Sequence, residues 1–354
     1  MIHKIIIKNF KSIEEVEMEC KNLNLLIGVN SSGKSTIHQA LLFVGQNLGE
    51  MGGLNGSFVA LGEFEENKCL YSSKRDILVT ISDTEGNSVS RGVTRSINDD
   101  RISYIQSSAG NESCIFEQLD RKQRKLQYLS CHRLGPQNLY QKNMSVDDLI
   151  GNEGEFAISY LNQHGNEQLK TELCKGKQDY TLLGQVNWWL SYITEAEIFT
   201  EEISGTDAVK ASYRMHEVGN IRPGNIGSGI SYLISILIMC LSSPDKAVLV
   251  IENPEIHLHP AAQSKVCEFL YFIAESGRQL FVETHSDHIF NGFRVGIATE
   301  NMNRNFINIE FVSMNKNHTT EIVPVQIGRY GKVENQKKNL FDQFDIDLNR
   351  MIGL

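Results

Sequence analysis

The sequence has no closely spaced cysteines, no long apolar run and no surplus of positive charge. Its seven cysteines, at positions 20, 69, 114, 131, 174, 240 and 267, are odd in number, and none forms a Cys-x-x-Cys pair. A disulfide framework or a zinc knuckle is therefore not indicated, and a reduced, cytoplasmic protein is expected. The longest apolar run, SYLISILIMCL from Ser231 to Leu241, is about half a membrane span and predicts a buried helix. At the N-terminus, MIHKIIIKNFK interrupts its isoleucines with lysines too soon for a signal segment, so no membrane association is expected. Lys and Arg number 34 against 43 Asp and Glu, a net charge of −9. Bulk charge thus gives no support to a nucleic-acid-coating surface, although a local basic groove stays open. Tryptophan is scarce, two residues in all, and the adjacent pair Trp188 and Trp189 reads as core packing rather than base stacking.

What is present is an ordinary globular composition, 41% apolar and 22% charged over 354 residues, long enough for one large domain or two ordinary ones. Residues 1–50 read strand, turn, strand, loop, helix. Residues 51–135 change to short alternating runs such as DILVTIS and RISYIQSS, which predict an antiparallel β lobe. Residues 136–204 read as a mainly helical insertion. From 205 to 354 strand and helix patterns alternate again, as in a parallel sheet. The expected fold class is α/β, with a nucleotide-binding core split between 1–50 and 205–354 around the two insertions.

The segment Gly28-Val-Asn-Ser-Ser-Gly33-Lys34-Ser35 fits the phosphate-loop pattern G-x-x-x-x-G-K-[ST]. By chance it would occur in about one percent of chains this long, but here it also follows an apolar strand, Leu23–Ile27, and opens a helix, as the chemistry requires. Glycines let successive N–H groups along Asn30, Ser31, Ser32, Gly33 and Thr36 face a β-phosphate at the helix's positive end. Lys34 would bridge β- and γ-phosphates, and Ser35 would ligate Mg²⁺. Two further apolar strands end in acids. In AVLVIENPEIHLHP, Glu252 stands at the strand tip and is expected to hold Mg²⁺ with Ser35, with Glu255 next to it to activate water. In QLFVETHSDH, the tip carries Glu283, Thr284 and His285, and His285 is expected to contact the γ-phosphate. The pair His257 and His259 has weak spacing for zinc and reads as shaping a turn into the next helix.

These elements, in this order, resemble the ATP-binding-cassette ATPases of the SMC, recombination-protein-F and OLD type. IIIKNFKSIEEVEM, YLSCHRLGPQNLY, IENPEIHLHPAAQ, ETHSDHIFNGFRV and NLFDQFDIDLNRMIG are more specifically similar to bacterial AAA15-type ATPases with a DUF3696 C-terminal segment. The resemblance covers both ends well and residues 50–125 and 145–210 poorly. It implies ATP and Mg²⁺ as cofactors and a signature turn, for which Gly227, Ser228, Gly229 and Ser231 in NIGSGISYL stand. In such relatives two chains pair head-to-tail, each signature turn touching the partner's γ-phosphate, which implies a homodimer or higher oligomer with composite sites. CHRLGPQN corresponds to the Q-loop, implying Gln137 or Arg133 as a γ-phosphate reporter. Lys8, Phe10 and Lys11 lie where relatives approach base and ribose. One departure matters: the usual Asp-Glu is Glu252-Asn253 here. Asparagine accepts no proton, so base duty falls to Glu255, to His285 or to neither, and hydrolysis is expected to be slow.

Fewer than about a hundred residues follow His285, and the Asp345-Ile-Asp347 pair sits among them without a surrounding Toprim-like domain, so no intrinsic nuclease is expected. Two functions remain. One is a regulatory ATPase controlling a separately encoded effector, a nuclease or toxin from the same operon, in anti-phage defence. The other is a DNA-repair-like ATPase that clamps double-stranded DNA. The negative charge and the lack of heptad arms favour the first. A transporter cassette ranks third.

Overall fold

The protein is described by a computed structural model covering residues 1–49, 52–96, 101–145, 147, 149–176, 179–338, 340–341 and 343–352. Strands β1 (Ile2–Phe10), β2 (Ile13–Glu19) and β3 (Leu23–Gly28) precede helices α1 (Lys34–Gln46) and α2 (Phe64–Asn67). Next come β4 (Ile77–Asp83), β5 (Ser88–Arg95), β6 (Ile102–Ala109), α3 (Glu112–Gln118), β7 (Leu126–Leu129) and β8 (Tyr140–Gln141). Helices α4 (Ala157–His164) and α5 (Leu182–Thr194) lead to β9 (Ala196–Glu202), β10 (Ala208–Met215) and β11 (Val218–Ile221). The chain continues through α6 (Ser228–Leu241), β12 (Val248–Glu252), α7 (Pro260–Glu275), β13 (Gln279–Glu283) and α8 (Asp287–Ala298). It closes with β14 (Ile307–Met314), β15 (Thr320–Pro324) and α9 (Gln343–Ile352). The residues cluster into two compact units: Ile2–Glu112 with Glu283–Leu354, and Ser113–Val282 with Met1.

In the first unit a five-stranded antiparallel sheet runs β2-β1-β4-β5-β6. Its register is set by side-chain alternation: Ile5 pairs with Ile81 and Ile7 with Val79, all buried on one face. On the other face Lys4 and Lys8 reach Glu17 and Glu15. Helix α1 packs against β1 and β4. Strand β3 is buried throughout Leu23–Ile27, its one polar residue, Asn24, exchanging hydrogen bonds with the Lys21 backbone. It pairs in parallel with β14, from Ile307↔Leu23 to Val312↔Gly28, and β14 pairs antiparallel with β15.

In the second unit the strand order is β13-β12-β7, with β12 and β7 parallel. Every residue of β12 is buried, and α6 is buried along nearly its whole length. Among the described residues no helix is long and apolar enough to cross a membrane. A separate antiparallel ribbon joins β9, β10, β11 and β8. Trp189 is core, its ring 5.0 Å from Phe269 and 5.2 Å from Phe272. Trp188 is not: it is 38% exposed and stacks on Tyr192 beside a groove of about 900 Å³, so the core-packing expectation holds for one tryptophan of the pair.

Three local patterns differ from the sequence reading. The antiparallel sheet of the 51–135 segment also takes in β1 and β2, because β1 supplies the alternating isoleucines that β4 needs beside it. The 136–204 segment contains β8 and β9 as well as helices, and β9 forms a hairpin with β10 across position 205. Only Ala196 and Ile198 of β9 are fully buried, too short an alternation to announce a strand. Finally, Asp347 lies on α9, whereas the side chain of Asp345 lies outside the described residues.

One buried acid on β14 gives the fold a pH signature. Glu310 is 4% exposed, and burial pushes its carboxyl up to about 7, with Glu19 adding to the rise and the Asn308 amide, 3.1 Å away, opposing it. Its folded value lies above the unfolded value of 4.5, so the folded state binds the extra proton between those limits. Stability from this group is complete below pH 4.5 and lost as pH rises toward 7. Glu310→Gln is expected to raise stability at pH 8 by about 1–3 kcal/mol, and far less at pH 5, in urea unfolding at the two pH values.

Candidate functional site

The loop between β3 and α1 owes its shape to two glycines. Gly28 has φ +146°, and a Cβ there would lie 2.0 Å from the Val312 carbonyl oxygen. Gly33, which caps α1, has φ +101°, and its Cβ would meet Thr320 Oγ1 at 2.3 Å. No L side chain fits either position. Between them Ser31 adopts the left-handed region at φ 59°. The resulting curl turns backbone N–H groups inward at the start of a 13-residue helix, the geometry of an anion nest.

The loop is tied down from a distant part of the first unit. Thr320, on β15, donates its hydroxyl to the Ser32 carbonyl at 2.9 Å, and Ser12 lies 2.7 Å from the same threonine oxygen. Lys34 is buried and donates to the Gly28 and Val29 carbonyls at 3.0 and 2.8 Å, which holds its ammonium over the concavity. A cleft of about 450 Å³ opens above, lined by Asn30 to Thr36 with Ser12, Glu283 and His285. Asn30 and Ser31 are exposed, whereas Ser32 and Thr36 are buried.

At the tip of β13, Glu283 is the carboxylate that Ser35 bonds, Oγ to Oε1 at 3.0 Å. The sequence assigns Glu283 no role and expects Glu252 to hold Mg²⁺ with Ser35. His285 Nε2 lies 3.7 Å from the same oxygen. Burial, and then the Lys34 charge, hold the His285 imidazole below its ordinary value, so it is neutral near pH 7. A neutral ring beside an ammonium can donate or accept a hydrogen bond at an anion without adding charge.

Within the second unit, Glu252 is buried at the end of β12 and accepts the Cys131 N–H at 3.0 Å. Asn253 follows at φ 46°, a left-handed conformation that asparagine tolerates better than glutamate. Glu255 lies half-buried in the ensuing turn and acts electrostatically on Arg133. Arg133 donates to the carbonyls of Ser130, Glu252 and Asn253. Its guanidinium, pulled down to about 10 by burial, staples the tip of β12 through these bonds. Gln137 is exposed, its N–H on the Tyr140 hydroxyl. His259 caps α7 by accepting the Ala261 N–H at 3.3 Å.

The signature turn Gly227–Ser231 opens α6. Gly227 is exposed and Ser228 half-buried, while Gly229 and Ser231 are buried. Gly229 passes directly under the His257 carbonyl, 2.5 Å from a would-be Cβ, so glycine is required for packing there. Of the N-terminal positions expected near base and ribose, Phe10 is fully buried in the core and cannot face a base. Lys8 pairs with Glu15, and Lys11 donates to Gln39 at 2.7 Å.

Glu283 was visible in sequence as a strand-tip acid without an assigned partner. His38, one turn beyond Ser35, and the Ser12–Thr320 clamp carried no local signal, since their roles depend on tertiary contact. Two steric cradles, a buried ammonium and a hydroxyl backed by a carboxylate fit a nucleoside triphosphate with a hard divalent cation. The site defines a phosphate-loop nucleotide-binding protein.

Comparison with known proteins agrees. The AAA ATPase domain family (AAA_15) matches residues 1–180 and 158–290, and the chain belongs to that family of ATPases. No curated protein matches it. Among solved structures, the fold is shared with an SMC head bound to the C-winged helix domain of ScpA, at 16% identity and TM-score 0.57, covering 92% of this chain and 98% of that one. It is also shared with the SMC head domain from Thermotoga maritima (14%, 0.51, 92% and 99%). A third is the Smc head domain with an extended coiled coil bound to the C-terminal domain of ScpA, derived from Pyrococcus furiosus (13%, 0.57, 100% and 99%). The expected ABC-type α/β class with an antiparallel β lobe and helical insertion is thus the fold observed.

Lys34→Ala removes the one ammonium held in the phosphate loop. A charged hydrogen bond contributes about 1.5–3 kcal/mol, so ATP affinity should fall at least roughly tenfold. Titration with a fluorescent ATP analogue checks this, with a thermal melt confirming that the variant is folded.

Proposed function

We propose that this ATPase pairs head-to-tail with a second copy, closes two composite ATP sites and uses slow hydrolysis to control a separately encoded effector. The observation that carries the pairing is the exposed Gly227 at the start of α6, a helix N-terminus with no nucleotide loop of its own. Such an end is suited to a γ-phosphate presented from outside the chain. Asn253 supports slow hydrolysis, since it cannot accept a proton from water. Base duty falls to Glu255, to His285 or to neither. ATP then works as a timer of the paired state.

Mg²⁺ when bound supplies charge neutralisation at the triphosphate. Ser35 would offer it a hydroxyl oxygen, and Glu252 is the carboxylate expected from the sequence to join it as a ligand. Lys34 binds the phosphates, the loop N–H groups orient them, and His285 stands at the cleft's rim. The split core of residues 1–50 and 205–354 and the DUF3696-like closing segment belong to this reading. The effector is a nuclease or toxin from the same operon, the setting is bacterial anti-phage defence, and the compartment is the cytoplasm. Two of the solved SMC heads are bound to ScpA, which supports a protein partner for this fold. Direct clamping of double-stranded DNA is the alternative, and the charge of −9 weighs against it.

Complementation in trans tests the composite site. A Lys34→Ala chain and a Ser228→Arg chain should each turn over little ATP alone. Mixed, they form one site with an intact loop from the second and an intact signature turn from the first, and turnover should recover severalfold. No recovery from a mixture shown to contain mixed dimers would contradict the shared site.

A further inference from the structure

The hydroxyl-to-carboxylate contact in the cleft places a charged group where the phosphate-loop motif does not call for one. The Glu283 side chain is 6% exposed. Three side chains of the first unit converge on it. Ser35 donates to Oε1 at 3.0 Å, His285 Nε2 lies 3.7 Å from that oxygen, and His38 Nδ1 lies 4.0 Å from Oε2. Ser35 and His38 are three residues apart on α1 and so lie on one helix face, turned toward the same carboxylate. His38 is fully buried, so its ring cannot swing away to solvent.

Burying a carboxylate costs several kcal/mol unless its surroundings compensate, so packing alone is a poor reason for it. Its chemistry toward Ser35 is specific. A hydroxyl has one proton and two acceptor lone pairs. Once the proton points at Glu283, both lone pairs face away from the carboxylate and toward whatever sits in the cleft. Mg²⁺ takes oxygen ligands in a demanding geometry, and a group behind the ligand that fixes its orientation raises affinity for the metal.

Building on the phosphate-loop reading, we propose that Glu283 is the positioning carboxylate of the magnesium site. It accepts the hydrogen bond of the Ser35 hydroxyl and aims the Ser35 oxygen at the cation, with the buried His38 ring packed beside its second oxygen. Glu283 acts through Ser35 and is not the ligand. Its charge also has a definite sign of effect: without metal, a carboxylate near the triphosphate repels it.

Binding of a fluorescent ATP analogue to the full chain, in Mg²⁺ and in EDTA, distinguishes these roles. For the wild type, Mg²⁺ should tighten binding. Glu283→Gln should lose about tenfold of that gain while its affinity in EDTA is unchanged or rises. Ser35→Ala should lose a similar share, and the double variant no more than the larger single loss, because the two groups work as one unit. His38→Gln, offered in case Glu283→Gln does not fold, should lose a smaller share and add nothing to Ser35→Ala. Additive losses, an equal loss in EDTA and Mg²⁺, or a wild type indifferent to Mg²⁺ would each overturn the proposal. Failure of the phosphate-loop reading itself would look different: Lys34→Ala would then bind the analogue in EDTA as tightly as the wild type.

Discussion

The site depends on a close approach between two strands of backbone. Where β3 ends, Gly28 lies against the Val312 carbonyl of its parallel neighbour β14, at a distance that leaves no room for a Cβ. Its φ of +146° lets the chain leave the sheet at once, and the next turn back into a helix falls to Gly33. Everything the loop can do follows from those two departures. The N–H groups turn inward, Lys34 folds over the concavity, and Ser35 arrives one residue into α1. Remove the approach at Gly28 and the loop has neither its starting point nor its curvature.

Electrostatics complete what the backbone begins. The cleft gathers positive character from the helix end and Lys34, and sets one buried carboxylate, Glu283, beside the hydroxyl that a cation would use. His285 stays neutral there because burial and a nearby ammonium both disfavour a second positive charge. In the second unit the same economy of space appears at β12. Arg133 is committed to three backbone carbonyls, which fixes the turn that carries Asn253 and Glu255. Fixing a turn in this way costs a mobile cation but gives the acids a defined location.

Much of this was legible from sequence because the signals are local. The phosphate-loop spacing, the largely apolar β3, the apolar runs of β12 and β13, and the buried character of α6 are each local signals. The antiparallel character of Ile77–Ala109 was also readable from its alternation. What escaped is non-local. The pairing of β1 with β4 joins segments some seventy residues apart. Thr320 reaches Ser32 across 288 positions, and no motif marks it. Phe10, which the resemblance places near base and ribose, lies in the core: strict alternation would put it on the Lys8 face, but the left-handed Asn9 at φ 58° breaks that alternation. Glu283 was visible but unassigned, since nothing in QLFVETHSDH says that its carboxylate faces Ser35.

Amide hydrogen exchange of the whole chain, with and without Mg-ATP, tests the central claim most directly. The account requires slowed exchange along Asn30–Thr36, where the loop N–H groups would be occupied by phosphate oxygens. Unchanged exchange in that loop at saturating nucleotide, with protection appearing in some other segment instead, would show that the triphosphate is held elsewhere.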